Sequence, residues 1–165
     1  MSLKIYRISE KYVSFLYHCD NRVQLNKGQR RPYVGVVLEV GAFKYFVPME
    51  SPKPNHKNLK SSVHFMPIAN GEYGILGFNN MLPVPDSALV PYNIDLEKDS
   101  AYRNLLINQL AFIRSNETAI RIKASKTYYK AVNSQPDSFF CKICCDFKKL
   151  ERASKRYDPN YTPKK

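Results

Sequence analysis

The chain has 165 residues, 44% of them hydrophobic and 24% charged, which suits one folded domain with a continuous apolar core and excludes wholesale disorder. It carries 26 Lys and Arg against 14 Asp and Glu, a net charge of +12, and this favours a polyanionic partner over a neutral metabolite. No stretch approaches the roughly 20 apolar residues that span a bilayer, the opening MSLKIYRISEKY lacks the apolar run of a signal peptide, and four cysteines with two adjacent make no disulfide framework, so the expectation is a cytoplasmic protein with reduced thiols and no membrane partner.

Leu3 to Ile8 alternates as a short strand, and Ser9 is placed to cap a helix running to about His18, with Tyr12, Val13, Leu16 and Tyr17 on one face. Residues 21–32 are polar and basic and read as an exposed loop that ends in Arg30, Arg31 and Pro32. The β-branched and aromatic runs Tyr33 to Val40 and Phe43 to Val47, separated by Gly41 and Ala42, form the strongest hairpin signal in the sequence. Glu50 to Ser62 has two prolines, the lysines Lys53, Lys57 and Lys60, and no apolar periodicity, so it reads as a long surface loop.

Val63 to Ile68 and Tyr73 to Phe78 flank a turn-rich Ala69-Asn70-Gly71-Glu72, and Ala88 to Ile94 adds one more extended run, for five or six strands in all. After Asp99 the period changes. Tyr102, Leu105, Leu106, Gln109, Leu110 and Ile113 fit one helix face, and Ile120, Ala124, Tyr128 and Ala131 fit a second. Ser138 is expected to cap a last helix lined by Phe140, Cys144, Phe147 and Leu150. Residues 121–165 hold 12 basic and 4 acidic side chains, so 8 of the 12 net charges lie there. The pattern predicts an α+β domain over 1–157, built on a compact antiparallel, barrel-like sheet with helices mainly in the C-terminal third, and a basic tail over 158–165.

A Walker loop, a Rossmann glycine pattern, an HExxH helix and a GxSxG elbow are all absent, and no set of acidic residues resembles a two-metal nuclease centre. RNA offers a route without metal, because its 2′-hydroxyl attacks the adjacent phosphate. Such an enzyme needs a group to take the hydroxyl proton, a group to protonate the leaving oxygen, and cations or donors around the phosphate. Ser51, Lys53 and His56 supply a hydroxyl, an ammonium and an imidazole directly after a strand. On spacing alone the same loop reads as a solvated proline-rich connector.

Lys27, Arg30 and Arg31 suit phosphates, and are equally the residues of a solvated basic loop. Tyr12 offers a phenol, although its helical spacing with Leu16 reads first as core; His64, within an expected strand, reads as structural. Cys141, Cys144 and Cys145 invite a zinc reading, but a structural site needs four ligands and no second CxxC or CxxH exists, so they are taken as buried apolar side chains and no metal or cofactor is expected. Twelve tyrosines and nine phenylalanines give stacking surface for unpaired bases. On these residues a non-catalytic RNA-binding protein and a zinc-containing DNA-binding regulator stand beside the nuclease.

The opening KIYRISEKYVSFL, the hairpin RPYVGVVLEVGAFKYFVPMESPK and the helix YRNLLINQLAFIRSN resemble the ToxN/AbiQ family, toxins of type III toxin–antitoxin systems, in the same order from residue 4 to about 120. The resemblance implies a sheet like that of MazF and PemK toxins and a metal-independent endoribonuclease leaving 2′,3′-cyclic phosphate and 5′-hydroxyl ends. It implies as partners cellular or phage RNA substrates and an antitoxin RNA of tandem pseudoknot repeats, held with the toxin in a closed assembly. Phage defence by abortive infection and plasmid or chromosomal maintenance both follow from it.

By position, Ser51 and Lys53 match the family's serine and lysine after the hairpin, Tyr12 a tyrosine of the first helix, His56 a histidine of the loop, and Arg31 a basic residue before the hairpin. Glu50 departs from the threonine of some relatives. RNA-binding expectations fall on Lys27, Arg30, Lys57, Lys60, Lys123, Lys126, Lys148 and Lys149.

Overall fold

The computed structural model describes residues 2–57 and 59–160. Seven strands, β1 (Lys4–Ile8), β2 (Tyr33–Val40), β3 (Phe43–Glu50), β4 (Phe65–Pro67), β5 (Ile75–Gly77), β6 (Leu82–Pro83) and β7 (Leu89–Val90), pair antiparallel in the order β4-β5-β3-β2-β1-β7. Beside β3, opposite β2, β6 pairs at Tyr45 and Phe46 and β5 pairs at Met49 and Glu50. The sheet ends on β4 and β7, which do not pair with each other, so the expected barrel is corrected to an open sheet.

The hairpin β2–β3 is the spine of the domain. Its strands meet across Gly41 (φ +57) and Ala42, where only a left-handed residue lets the chain reverse so tightly, and Val40 pairs with Phe43. Helix α1 (Glu10–Cys19) starts where Ser9 accepts a hydrogen bond from the Tyr12 N–H, and it buries Tyr12, Val13 and Leu16 while Tyr17 turns out to solvent at 38% exposure. Helices α2 (Ser100–Ser115) and α3 (Glu117–Asn133) follow the apolar period, and α3 buries Ile120, Ala124 and Tyr128.

The last helix is broken in two. Helix α4 (Phe139–Ile143) stops short of Cys144, and α5 (Phe147–Arg156) starts with Asp146 as its cap. The cause is tertiary: the Cys145 N–H donates to the Asn79 carbonyl at 2.9 Å and the Asp146 N–H to the Asp20 carboxylate at 2.7 Å, so two N–H groups that a continuous helix would bond internally are drawn away. Cys144 and Cys145 are buried at this break, and burial pushes Cys144 up to about 12.

One polar knot ties the layers together. Glu151 of α5 is buried and accepts hydrogen bonds from the hydroxyls of Tyr45 (β3) and Tyr128 (α3), each at 2.7 Å. Burial, followed by the carboxylate beside them, raises the pKa of both phenols and keeps them as donors. Tyr157 packs on Tyr12 with ring centroids 4.7 Å apart, and Lys11 donates to the Pro159 carbonyl at 2.6 Å, so the start of the expected tail is held against α1. Residues 161–165 of that tail lie outside the described residues.

Candidate active site

The end of β3 delivers residues 50–57 to the surface, and a glycine turn braces them from behind. Gly74 (φ +97) lies so close to the Glu50 carbonyl that a Cβ there would collide with it, and Gly71 (φ +88) stands in the same relation to the His56 carbonyl. The segment Pro54–His56 forms a tight 3-10 turn in which the His56 N–H donates to the Lys53 carbonyl at 2.9 Å and the Lys53 N–H to His56 Nδ1 at 3.2 Å. The expected surface loop is therefore ordered around a buried imidazole, with His56 3% exposed.

Two cavities open on this segment. The first, about 600 Å³, is lined by Ser51 with Arg7, Lys27, Arg30, Arg31 and Tyr102, and its wall also holds Glu97 and Asp99. The second, about 390 Å³, is lined by Glu50, Lys53 and His56, with His64, Phe65 and Asn79 across from them. Ser51 and Lys53, two residues apart, thus line different cavities.

Around Ser51 the charge is unbalanced. Among the described residues Arg7, Lys27, Arg30 and Arg31 have no salt bridge, and Ser51, which is exposed, has no hydrogen-bond partner. The two acids on the wall each accept a hydrogen bond from a neighbour. Glu97 accepts from the Tyr92 hydroxyl at 2.7 Å, burial followed by this bond pushes that phenol up to about 12, and Asp99 caps α2 by accepting from the Tyr102 N–H at 3.1 Å. Arg31, 6% exposed, donates to the carbonyls of Leu25 and Met49, each at 3.3 Å, so backbone oxygens rather than a carboxylate hold this buried cation. A cavity of this kind offers donors and positive charge to an anion.

The second cavity is organised by Glu50. Its carboxylate contacts Lys53 Nζ at 2.9 Å and His56 Nε2 at 3.9 Å. Partial burial works against ionisation, but the Lys53 hydrogen bond and charge outweigh it and hold the Glu50 carboxyl below the usual range. His64 precedes β4 rather than lying within it, and burial with Lys123 and Lys130 nearby lowers its pKa.

The remaining expected site residues divide sharply. Tyr12 is fully buried and its hydroxyl donates to the Pro83 carbonyl; burial raises its pKa, and it lines neither cavity. Tyr12 thus sits in the core, as its helical spacing reads, and away from both cavities. Lys123 is also committed, donating to Ser61 Oγ at 2.7 Å and to the Ser62 carbonyl at 2.5 Å, so it pins the 61–65 segment instead of presenting a free cation. Lys57, Lys60, Lys126 and Lys149 are exposed, and Lys148 pairs with Glu151 at 3.7 Å.

Sequence reasoning missed Arg7 and Tyr102. Arg7 had a signal: in an alternating strand it shares a face with Leu3 and Ile5, both buried, and a cation on an apolar face calls for an explanation. Tyr102 fitted the apolar stripe of α2 and carried no such signal. Among the described residues no three or more His, Cys, Asp or Glu side chains converge as metal ligands, and no helix is long and apolar enough to cross a membrane.

Comparison with known proteins adds a family to this geometry. A family model described as Toxin ToxN, type III toxin–antitoxin system, matches residues 4–155. The chain is 35% identical to Endoribonuclease ToxN of Bacillus thuringiensis subsp. kurstaki, over 93% of this chain and 84% of that protein. It is 30% identical to Endoribonuclease AbiQ of Lactococcus lactis subsp. lactis, over 98% and 93%. A solved structure of AbiQ, described as a lactococcal anti-phage endoribonuclease of the type III toxin–antitoxin system, superposes with a TM-score of 0.84 at 29% identity, covering 95% of this chain and 98% of that one. A second, from work on selective toxin inhibition by a non-coding RNA pseudoknot, gives 0.83 at 29% identity and the same coverage.

Proposed function

The chain belongs to the ToxN family of type III toxin–antitoxin toxins, and from that premise we propose that it is a metal-independent endoribonuclease whose reaction centres on the Ser51 cavity. The 2′-hydroxyl of the substrate attacks the adjacent phosphorus. The new 2′-O–P bond replaces the P–O5′ bond, the 2′-hydroxyl gives up its proton, and the departing 5′-oxygen takes one, leaving a 2′,3′-cyclic phosphate and a 5′-hydroxyl.

The observation that carries this reading is the placement of an unpaired hydroxyl, that of Ser51, in a cavity with four cations that form no salt bridge among the described residues and outnumber the two carboxylates on its wall. A phosphate entering there meets Arg31, buried and fixed by two backbone carbonyls, half-buried Arg7, and the exposed Lys27 and Arg30, and cations set in place in this way stabilise a dianionic phosphorane-like transition state. Ser51 hydrogen-bonds the phosphate or the attacking hydroxyl, and Arg31 neutralises the developing charge. Lys53 reaches the same phosphate from the other side of residues 50–53 once it leaves Glu50, and His56 holds that turn in place. Both carboxylate oxygens of Glu97 and one of Asp99 accept hydrogen bonds from their neighbours, and four cations outnumber these two carboxylates, so the lining suits an anion better than a divalent cation.

The substrates in this proposal are cellular and phage RNA. The antitoxin is an RNA pseudoknot of tandem repeats, which occupies the site within a closed protein–RNA assembly; both place the protein's action in the cytoplasm. Lys57, Lys60, Lys126, Lys148 and Lys149 supply the peripheral phosphate contacts. The seven-stranded sheet is the element that would carry a likeness to MazF and PemK toxins.

The test is to incubate the chain and its Ser51→Ala variant with mixed RNA in EDTA and to determine the chemistry of the fragment ends. Cyclic phosphate and 5′-hydroxyl ends from the unaltered chain alone are expected. Fragments that need added metal, or that persist with Ser51→Ala, would overturn the mechanism, and RNA binding without cleavage would favour a non-catalytic RNA-binding protein.

A further inference from the structure

Arg7 stands on β1 with its guanidinium in the Ser51 cavity, an expensive place to desolvate a charge. It is held from three directions. The ring of Tyr92 lies 4.2 Å from its carbon, one terminal nitrogen donates to the Gln29 carbonyl at 3.2 Å, and the other donates to the Tyr102 hydroxyl at 3.4 Å. Two of its five N–H donors are thereby used, and Nε is sealed from solvent without an acceptor. Packing alone gives no reason for this: Leu3 and Ile5 on the same strand face are buried, and an apolar residue would complete the row.

The Gln29 contact matters because of what that loop carries. Lys27, Gly28 and Gln29 all have positive φ, at 53°, 66° and 72°, a backbone that lysine and glutamine rarely adopt. Gln29 is tied down twice, through its carbonyl to Arg7 and through its side-chain oxygen to the Glu10 N–H at 3.0 Å, and Arg30 Nε donates to the Lys27 carbonyl at 3.0 Å. Arg7 therefore fixes the loop that brings Lys27 and Arg30 to the cavity wall. The cavity, about 600 Å³, has room for more than one phosphate group.

Building on the ribonuclease reading, we propose that Arg7 anchors a second phosphate position in this cavity, where it takes, with Lys27 and Arg30, a phosphodiester flanking the one that is cut. Its ligand is the backbone of single-stranded RNA. The guanidinium fork matches two phosphate oxygens at once, which a lysine ammonium does not.

The test pairs protein charge with RNA charge. An RNA oligomer spanning a mapped cleavage site is made with one neutral methylphosphonate at a time at each flanking linkage. Cleavage is then read as kcat/KM for the unaltered chain, Arg7→Lys and Arg7→Ala, and affinity is read in the same series on a Ser51→Ala background. One flanking linkage is expected whose neutralisation weakens the Arg7 protein about tenfold or more, in affinity and in kcat/KM, and leaves Arg7→Ala unchanged. Arg7→Lys falls between and keeps a charge on β1 should Arg7→Ala fold poorly. Equal sensitivity of all three proteins at every flanking linkage would overturn the proposal. Because affinity is measured without cleavage, an absence of cleavage by the unaltered chain would count against the nuclease reading alone.

Discussion

The carboxylate of Glu50 holds the ammonium of Lys53 at 2.9 Å in a cavity that Ser51 does not line. In the free chain, then, the lysine two residues beyond the serine is engaged by an internal anion, and an RNA phosphate has to compete for it. Glu50→Gln removes the competitor and a negative charge beside the substrate. The KM for RNA should fall about two- to fivefold, the scale of a partly exposed ion pair, with steady-state kinetics on a fluorogenic RNA as the measurement. A rise in KM would show instead that Glu50 organises Lys53 for the substrate.

Tyr12→Phe should cost about 1 kcal/mol of stability in urea denaturation, because it leaves the buried Pro83 carbonyl without its donor. RNA cleavage by the folded variant should match that of the unaltered chain. A variant that is fully folded yet inactive would return the phenol to the chemistry.

Gly74→Ala tests the brace behind the site. The added methyl collides with the Glu50 carbonyl at a backbone angle that alanine disfavours, so a loss of about 2 kcal/mol or more is expected. Displacing Glu50 also shifts Ser51, and cleavage by the folded fraction should drop roughly ten- to a hundredfold. Thermal melts read the first effect and single-turnover rates the second; unchanged turnover would mean that residues 50–53 keep their place without the glycine.

Lys123 and Lys126, three residues apart on α3, should behave oppositely. Lys123→Ala removes donors from Ser61 and Ser62 and should lower stability by about 1–2 kcal/mol with little effect on RNA affinity. Lys126→Ala should leave stability alone and make the salt dependence of RNA binding shallower by about 0.7 in log–log slope. Affinities measured between low and moderate salt distinguish the two, and an unchanged slope for Lys126→Ala would remove it from the RNA surface.

Asp20 joins three segments: one carboxylate oxygen accepts from the N–H and Nε of Arg22, the other from the Asp146 N–H at the start of α5. Burial works against its ionisation, but these bonds outweigh burial and lower its pKa. A carboxylate with a depressed folded-state pKa stabilises fully above its unfolded value, about 3.9, and loses that contribution as pH falls from there through the folded value. Asp20→Asn should therefore cost roughly 1–3 kcal/mol at neutral pH, and the gap to the unaltered chain should close as pH drops below about 4. A gap constant with pH would locate the cost in packing.

Much of this architecture was legible because it rests on periodicity. The cap at Ser9, the β2–β3 hairpin and helices α2 and α3 follow patterns that span many residues. What escaped depends on single long-range contacts. Strand β6 is two residues long, too short to alternate, and exists because β3 offers an unpaired edge, while of the extended run expected over Ala88 to Ile94 only Leu89–Val90 pairs, with β1. The break at Cys144 to Asp146 is made by Asn79 and Asp20, far away in sequence. At the site, the residues within one loop were legible as a set, but their division between two cavities was not, because it depends on how Glu50 and the glycine turn orient the end of β3. Tyr12 shows the converse: its spacing pointed to the core, the resemblance pointed to the site, and the fold agrees with the spacing.

The margins of the sheet, β4, β6 and β7, are three, two and two residues long. None offers enough consecutive free N–H and C=O groups to template a further strand, so these margins are poorly suited to edge-to-edge growth into fibres or to joining copies by a continuous sheet. Helices and loops are the surfaces left for building anything larger, and contacts of that kind can be undone one at a time.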